Sequence, residues 1–393
     1  MLVNPKAALA IFVKHIIGGI NYAMVNVLYD TEMDWKEPNG KVPTFKKSIF
    51  VALISFISCW LVMAPFLYMS YRKYRASPEA KATGYANSPY SIKSAVLLIL
   101  PSVFDYVAVT ISLTGNKWIL ASLVVGIKAL RIFLSTALSI KFLNRKYYAY
   151  HWLGIAMVVP GVICVGAANE LNKTKVGGGH LDWYWPYVGM TCVVVAEFLR
   201  AAKAVYEEKM LQHVHLCPKF VAVVEGVFCT ILALIGLFVF HAMPGEEGNT
   251  VGEKTAYGEG SMENIWNTLE WIRNSPRVQL WVIWLTLTTG FITFAGFLVI
   301  KYLSAVHNAL WSELRVLIVW LTELCIGFAM PGEGTKWGNY SFLSLIGFGF
   351  IILCGLIFNK TYILPIPWLY SGEANHSVKE VAEPCTDNTI DYP

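Results

Sequence analysis

The stretch from 94 to 142, SAVLLILPSVFDYVAVTISLTGNKWILASLVVGIKALRIFLSTALSIKF, decides the fold. It holds two apolar runs, about 94–114 and 118–142, separated by little more than Gly115-Asn116-Lys117. A helix needs roughly 20 apolar residues to cross a bilayer core of about 30 Å, and both runs reach that length. Because the connection is so short, the two runs are predicted to form an antiparallel hairpin of membrane-spanning helices.

The whole chain repeats this pattern. Of its 393 residues, 56% are hydrophobic and only 15% are charged, and the mean hydropathy is +0.51. A soluble domain carries about a quarter of its residues as charges, so the class predicted here is an all-α integral membrane protein. Ten runs reach spanning length: about 8–29, 49–70, 94–114, 118–142, 150–169, 184–206, 218–242, 279–300, 307–330 and 340–359.

Several other classes find no support in the sequence. The first apolar run is interrupted by Lys14-His15 and is expected to be a retained span, not a cleaved signal peptide. The net charge of +5 is spread over the loops, so the sequence shows no basic cluster of the kind that binds nucleic acid. His213 and His215 lie near Cys217 without a further ligand, so they make a poor metal site. We expect no enzymatic activity and no cofactor.

The ten predicted spans divide into two sets of five. We predict a first five-helix repeat over 1–169, a linker over 170–183, a second repeat over 184–360 and a flexible tail over 361–393. Membrane carriers are often built from such repeats, with the substrate site near mid-bilayer where the repeats meet. Basic clusters at 72–81 and 141–146 favour a cytosolic N-terminus, which would put the 243–278 loop on the lumenal side.

Short stretches over the predicted spans four to nine carry a resemblance to a known family. They are Phe142-Leu143-Asn144-Arg145-Lys146, His151-Trp152-Leu153-Gly154-Ile155, Glu207-Glu208-Lys209, Glu225-Gly226, Phe294-Ala295-Gly296, Leu303-Ser304-Ala305, Ser312-Glu313-Leu314-Arg315 and Val319-Trp320. In this order they resemble the drug/metabolite transporter superfamily, and within it the F subfamily of solute carrier family 35, which is related to nucleotide-sugar transporters.

The resemblance implies ten helices in two inverted five-helix repeats, cytosolic termini and transport by alternating access. It also implies arginine at the position of Lys128, so this chain keeps the charge but changes the head group. That difference matters because arginine can hold a phosphate with two parallel hydrogen bonds and lysine cannot.

Charged residues inside the predicted spans are the candidate substrate-binding residues, because an ionisable group at bilayer depth is costly unless it is paired or hydrated. Lys128 and Arg131 share a face of the fourth span, and Arg315 lies on the ninth span with Glu313 and Glu323. Cations from two helices facing one cavity would suit a phosphate or a nucleotide. The alternative is that these charges pair with one another and only hold the helix bundle together.

The remaining polar groups in the spans have two interpretations each. Asp105 could bind a proton or substrate, or serve as a structural partner for a cation, and Asn21 could line a cavity or only bond between helices. The spacing of Glu197 with Arg200, and of Lys203 with Glu207, predicts ion pairs within one helix. Glu225, near the start of the seventh span, is predicted to snorkel or cap at the membrane interface.

The leading functional hypothesis is a carrier of a small polar or anionic metabolite in an endomembrane of the Golgi, lysosome or vacuole. Its expected partners are a small-molecule substrate and the lipid bilayer, with a possible homodimer. One alternative is a carrier of amino acids, peptides or cationic drugs of the chloroquine-resistance-transporter type. Another is a membrane scaffold without transport activity.

Overall fold

A computed structural model describes residues 5–29, 45, 47–76, 90–115, 121–172, 185–245, 260–329, 337–358, 360 and 362–370. These residues form helices α1 (Pro5–Tyr29), α2 (Ser48–Ala76), α3 (Ile92–Leu97), α4 (Ile99–Gly115), α5 (Ala121–Leu143), α6 (Ala149–Asn172), α7 (Trp185–Glu208), α8 (Pro218–Ala242), α9 (Ile265–Asn274), α10 (Pro276–Tyr302), α11 (Ala305–Ala329) and α12 (Ser341–Phe358). A π-helical turn covers Lys209–His213, and strands β1 (Pro244–Gly245) and β2 (Gly260–Ser261) pair antiparallel.

The all-α membrane class is confirmed. Within the described residues, seven helical segments are long and apolar enough to cross a bilayer, judged by length and composition: Ala8–Val25, Ser48–Ala76, Ile92–Gly115, Ala149–Ala168, Pro218–Ala242, Pro276–Tyr302 and Ser341–Phe358. The other three predicted spans are also helices, α5, α7 and α11, and each contains at least three acidic or basic residues.

The third predicted span is broken, because α3 ends at Leu97 and α4 begins at Ile99. Pro101 has no N–H to donate to the carbonyl oxygen four residues earlier, which is that of Leu97. The hydroxyl of Tyr206 on α7 donates to this carbonyl over 3.0 Å instead. A side chain of a neighbouring helix therefore satisfies the carbonyl oxygen that the break leaves without a partner in its own helix.

The predicted 243–278 loop contains more order than we expected. Helix α9 begins after Asn264, whose side chain accepts from the backbone N–H of Trp266 over 2.9 Å. The Glu263 carboxylate accepts from the first turn of α2, at 2.9 Å from Ile49 N and 2.7 Å from Phe50 N. This segment caps α2 and stabilises its N-terminus, because those N–H groups have no partner within the helix.

Helices pack most extensively along two pairs, α6 with α12 and α2 with α8. Helix α7 packs on α4 and α5, while α1 packs on α10 and α11. Helix α4 also contacts α8, as α10 contacts α2. At the α6–α12 contact, a Cβ atom added at Gly347 would lie 2.6 Å from the carbonyl oxygen of Gly161. Small residues thus let these two backbones touch, as is common between membrane helices.

Candidate functional site

A charged cavity of about 300 Å³ lies between α1, α4, α5, α7, α10 and α11. The ionisable residues on its wall are Lys14, Asp105, Arg131, Arg200, Lys203, Glu207 and Arg315. Five of the seven are basic. Basic groups concentrated between otherwise apolar helices are costly unless they are paired with anions or hydrated, so the cavity is the candidate functional site.

Two of the arginines share one carboxylate. Arg131 on α5 donates from Nε to Glu197 on α7 over 2.7 Å, and Arg200 donates from Nη1 to the other oxygen of Glu197. Glu197 is completely buried, whereas each arginine keeps about a fifth of its side chain exposed. Two cations and one anion leave an excess positive charge on this wall. The predicted pairing of Glu197 with Arg200 within one helix is confirmed.

Lys14 reaches the cavity from α1 and bonds only to neutral groups on α11. Its Nζ lies 3.2 Å from Ser312 Oγ and 3.3 Å from the carbonyl oxygen of Asn308, and it also contacts the side-chain oxygen of Asn308. No described carboxylate lies within 4 Å of this ammonium. The next residue, His15, contacts the carbonyl oxygens of Ile11 and Trp311, which fixes α1 against α11. Lys14 is therefore a held cation without a counter-ion among the described residues.

Arg315 on α11 is the second such cation. Among the described residues, no hydrogen-bond acceptor or carboxylate is within bonding distance of its guanidinium group. Its side chain packs against Gly18 of α1, where an added Cβ would lie 3.5 Å from Cδ of Arg315. The charges of Arg131 and Arg200 repel that of Arg315, and the Glu313 carboxylate attracts it only from beyond ion-pair distance.

A lysine with three acidic neighbours forms another part of the wall. Nζ of Lys203 lies 2.8 Å from Asp105, 3.2 Å from Glu207 and 3.5 Å from Glu225. The Lys203–Glu207 pair confirms the prediction from spacing. The prediction for Glu225 was wrong, because its side chain is buried beside Lys203 and pairs with it instead of snorkelling or capping a helix.

A cluster of contacts joins the end of α7 to the loop after α5 and the start of α11, next to this cavity; we call Arg145, Glu208, Gln212 and the turn 303–305 the latch. Arg145 contacts Glu208 and donates to Gln212 over 2.6 Å. The other oxygen of Glu208 accepts from Ala305 N over 2.7 Å, and Gln212 Nε2 donates to the carbonyl oxygen of Leu303 over 3.2 Å. Three stretches that carry the family resemblance, 142–146, 207–209 and 303–305, meet here.

A second, mainly apolar crevice of about 450 Å³ lies outside the charged cavity. Its wall includes Leu9, Phe291, Phe294 and Leu298, with Lys301 among its few charged groups. Leu9 is 64% exposed, as suits a side chain that faces lipid tails in a membrane protein. The crevice is larger, but it offers few groups that could orient a polar substrate.

The structure brings together three of the six residues predicted to bind substrate: Arg131, Arg315 and Asp105 line the charged cavity. Lys128, Asn21 and Glu313 are not among the described residues on its wall. The Asn21 side chain instead bonds to Thr288 and Thr289 on α10. Lys128 is partly buried on α5 and Glu313 is buried on α11, where the charges of Arg131, Arg315 and Lys128 act on it.

Sequence reasoning missed Lys14, Arg200 and Lys203 as cavity residues. Lys14 was interpreted only as an interruption of the first apolar run, although a lysine in the middle of a span is itself a signal of function. Arg200 and Lys203 have acidic neighbours on their own helix, and that spacing concealed that Glu197 also binds Arg131 of α5 and that Lys203 also binds Asp105 of α4.

The apolar helices and the similarity to the solute carriers described next mark the chain as a multi-pass membrane transporter. Solute carrier family 35 member F6 from Pongo abelii is 22% identical over 284 residues, 72% of each chain. The member F6 protein of Rattus norvegicus is 21% identical over 316 residues, 80% of this chain and 78% of that protein. These matches confirm the resemblance to solute carrier family 35 that its motifs carry.

Other comparisons cover a smaller part of the chain or show only a similar fold. The UDP-N-acetylglucosamine transporter of Bos taurus is 27% identical over 146 residues, which are 36% of this chain and 40% of that protein. No family model matches the chain. A solved crystal structure covers 92% of this chain and 100% of its own with a TM-score of 0.56 and 11% identity, so the likeness shows the fold alone.

Proposed function

We propose that this transporter moves a small anionic metabolite, of the nucleotide-sugar or phosphorylated class, across an endomembrane by alternating access. The observation that carries the proposal is the pair of cavity cations, Lys14 and Arg315, that have no carboxylate partner among the described residues. An unpaired cation in a low-dielectric site is costly, and a substrate anion would remove that cost.

The helix contacts support a site between two repeats. Exchanging α1 with α7, α2 with α8, α4 with α10, α5 with α11 and α6 with α12 maps each main helix contact either onto itself or onto another contact of the same set. We therefore propose ten spans in two five-helix repeats, 1–169 and 184–360, joined by the linker 170–183 and followed by the tail 361–393. Because five is an odd number, the second repeat would enter the membrane from the opposite side and be inverted.

Four basic residues of the cavity lie on helices that the same exchange relates in pairs. Lys14 lies on α1 and Arg200 on α7, while Arg131 lies on α5 and Arg315 on α11. Each repeat would thus supply two of these four cations to one cavity, and Lys203 on α7 would add a third from the second repeat. Rocking of one repeat against the other around a bound anion would expose that anion to each side in turn.

Counterflow in proteoliposomes tests this proposal. Vesicles loaded with unlabelled UDP-N-acetylglucosamine, sugar phosphates or nucleotides should accumulate the labelled form of the anion that the protein carries. Parallel vesicles loaded with amino acids, peptides or cationic drugs test the chloroquine-resistance-transporter type of carrier. Exchange of cations alone would overturn the anionic class, and a protein that exchanges nothing would have the character of a scaffold.

The cationic alternative draws less support from the described contacts. Asp105, the acidic residue best placed for a cation, is bonded to Lys203 over 2.8 Å, and Glu313 does not line the cavity. Size-exclusion chromatography with light scattering would test the homodimer, and microscopy of a tagged chain would test the endomembrane location.

A further inference from the structure

The part of the cavity wall around Lys203 has more acidic groups than basic groups. Asp105 from α4, Glu207 from α7 and Glu225 from α8 surround the ammonium group of Lys203 within 3.5 Å. If all three carboxyl groups were ionised, the cluster would carry two uncompensated negative charges. Among the described residues, no second cation lies within 4 Å of these carboxylates.

The surroundings offer the carboxylates little further compensation. Lys14 acts on Glu207 from a longer range, and the Phe297 ring on α10 lies 6.0 Å from Nζ of Lys203. The other titratable side chains whose charge acts on the cluster are Cys59 on α2, Tyr206 on α7 and Cys229 on α8. Each of these three is neutral or negative, so none can balance a carboxylate. Burying like charges together without a counter-ion is strongly unfavourable.

A second observation concerns the hydrogen bonds of the cluster. Both carboxyl oxygens of Glu225 are buried without a well-aligned hydrogen bond, although Oε2 lies 3.5 Å from Nζ of Lys203, and Oε1 of Glu207 has only the ion pair with that ammonium group at 3.2 Å. The side chains of Glu207 and Glu225 are only 4% and 5% exposed, so water cannot supply donors freely. A buried acceptor without a donor costs about 1–3 kcal/mol, more if it is charged. A proton on one carboxyl group would supply a donor and remove a negative charge in a single step.

We propose that Glu207 and Glu225 share a bound proton and that this proton is carried together with the substrate anion. The proposal rests on the proposed function, because Asp105, Lys203 and Glu207 also line the charged cavity. An anion that approaches Lys203 competes with the carboxylates for the ammonium group. The carboxylates then hold the proton more strongly, so anion and proton bind cooperatively. The proton comes from water on the side of uptake and leaves to water on the side of release.

Infrared difference spectroscopy on the purified full-length protein tests the proton site without any substrate. A protonated carboxyl group absorbs through its C=O stretch, which an ionised carboxylate lacks. At neutral pH the wild-type protein should show this band, and both Glu207→Gln and Glu225→Gln should lose it. Glu270→Gln on α9, outside this cluster, is the matched control and should keep it. A wild-type protein without the band, or a band that survives in both variants, overturns the proposal.

Transport measurements separate this proposal from the proposed function. Uptake of labelled UDP-N-acetylglucosamine, or of whichever anion shows counterflow, should accelerate several-fold when the outside of the vesicle is acidified. Glu225→Gln should lose this acceleration but still exchange anion for anion. Counterflow without any effect of pH in the wild-type protein overturns the proton coupling and leaves the anion carrier standing. Acceleration by a sodium gradient in place of a pH gradient would show that the cluster binds a metal cation and would equally overturn it.

Discussion

Arg145 contacts Glu208 at the point where the loop after α5 reaches the end of α7. Asn144, just before it, has a φ of 52°, which turns the chain sharply and aims Arg145 across the bundle. Through Glu208 the contact extends to the backbone N–H of Ala305, at the start of α11. Since Ala305 also lines the charged cavity, the contact ties one edge of the cavity to the ends of α5 and α7.

Breaking the latch should open this end of the cavity. Arg145→Ala removes charge-assisted hydrogen bonds worth about 1.5–3 kcal/mol each, which corresponds to a tenfold or larger shift in population. The measurement is the rate at which a membrane-impermeant maleimide labels Ala309→Cys, a cavity position, applied from the side of the 142–146 loop. The matched control is Lys146→Ala, the exposed neighbour, which should leave the rate unchanged. Equal rates in both variants would show that the latch does not gate the cavity.

The unpaired cations should dominate anion binding. Arg315→Ala and Lys14→Ala should each weaken binding of the transported anion by about 2–5 kcal/mol, the cost of truncating one partner of a buried charge pair. Arg273→Ala on α9 is a control outside the cavity and should bind normally. Isothermal titration with the anion identified by counterflow gives the comparison. Unchanged affinity in both cavity variants would remove these residues from the site.

Lys128 and Arg131 offer a comparison on one helix. Arg131 lines the cavity and bonds to Glu197, whereas Lys128, three residues earlier, is not among the described residues of the wall. Arg131→Ala should therefore reduce counterflow more strongly than Lys128→Ala, and Lys128→Arg, which restores the residue of the family pattern, should remain active. Initial rates at matched protein levels provide the measurement. The opposite order would place Lys128 in contact with the substrate during the transport cycle.

Two glycines of α12 should respond differently to a methyl group. An added Cβ at Gly347 would lie 2.6 Å from a carbonyl oxygen of α6, whereas nothing described lies within 4 Å of the equivalent atom at Gly349. Overpacking costs about 1–3 kcal/mol, so Gly347→Ala should lower the melting temperature of the purified protein. Gly349→Ala should be neutral or slightly stabilising, because alanine restricts the unfolded chain. Two equal melting temperatures would mean that α6 and α12 do not touch at this point.

The orientation of the chain is open to a direct measurement. With a cytosolic N-terminus and ten spans, the tail 361–393 should face the cytosol and the 243–278 loop the lumen. In sealed vesicles with the cytosolic face outward, protease should remove a tag on the tail and spare a tag inserted in the loop. A protected tail and a digested loop would reverse the orientation.

The sequence predicted the parts of this structure that depend on neighbours along the chain. Apolar runs predicted every long helix, and a spacing of three or four residues predicted the pairs of Glu197 with Arg200 and of Lys203 with Glu207. The contacts of Glu225 and Lys14 depend on which helices lie side by side, and no local spacing contains that information. The third span looked continuous because hydropathy does not register the missing N–H of Pro101.

The unpaired charges of Lys14 and Arg315 also bear on the response of the carrier to membrane voltage. An empty carrier that changes its facing would move net positive charge through part of the electric field, at a cost of about 2.3 kcal/mol per elementary charge for each 100 mV crossed completely. A bound anion cancels part of that charge, so the loaded carrier reorients with less electrical work. The return of the empty protein would then be the more voltage-sensitive step, and a membrane potential should change the rate of net uptake more than the rate of one-for-one anion exchange.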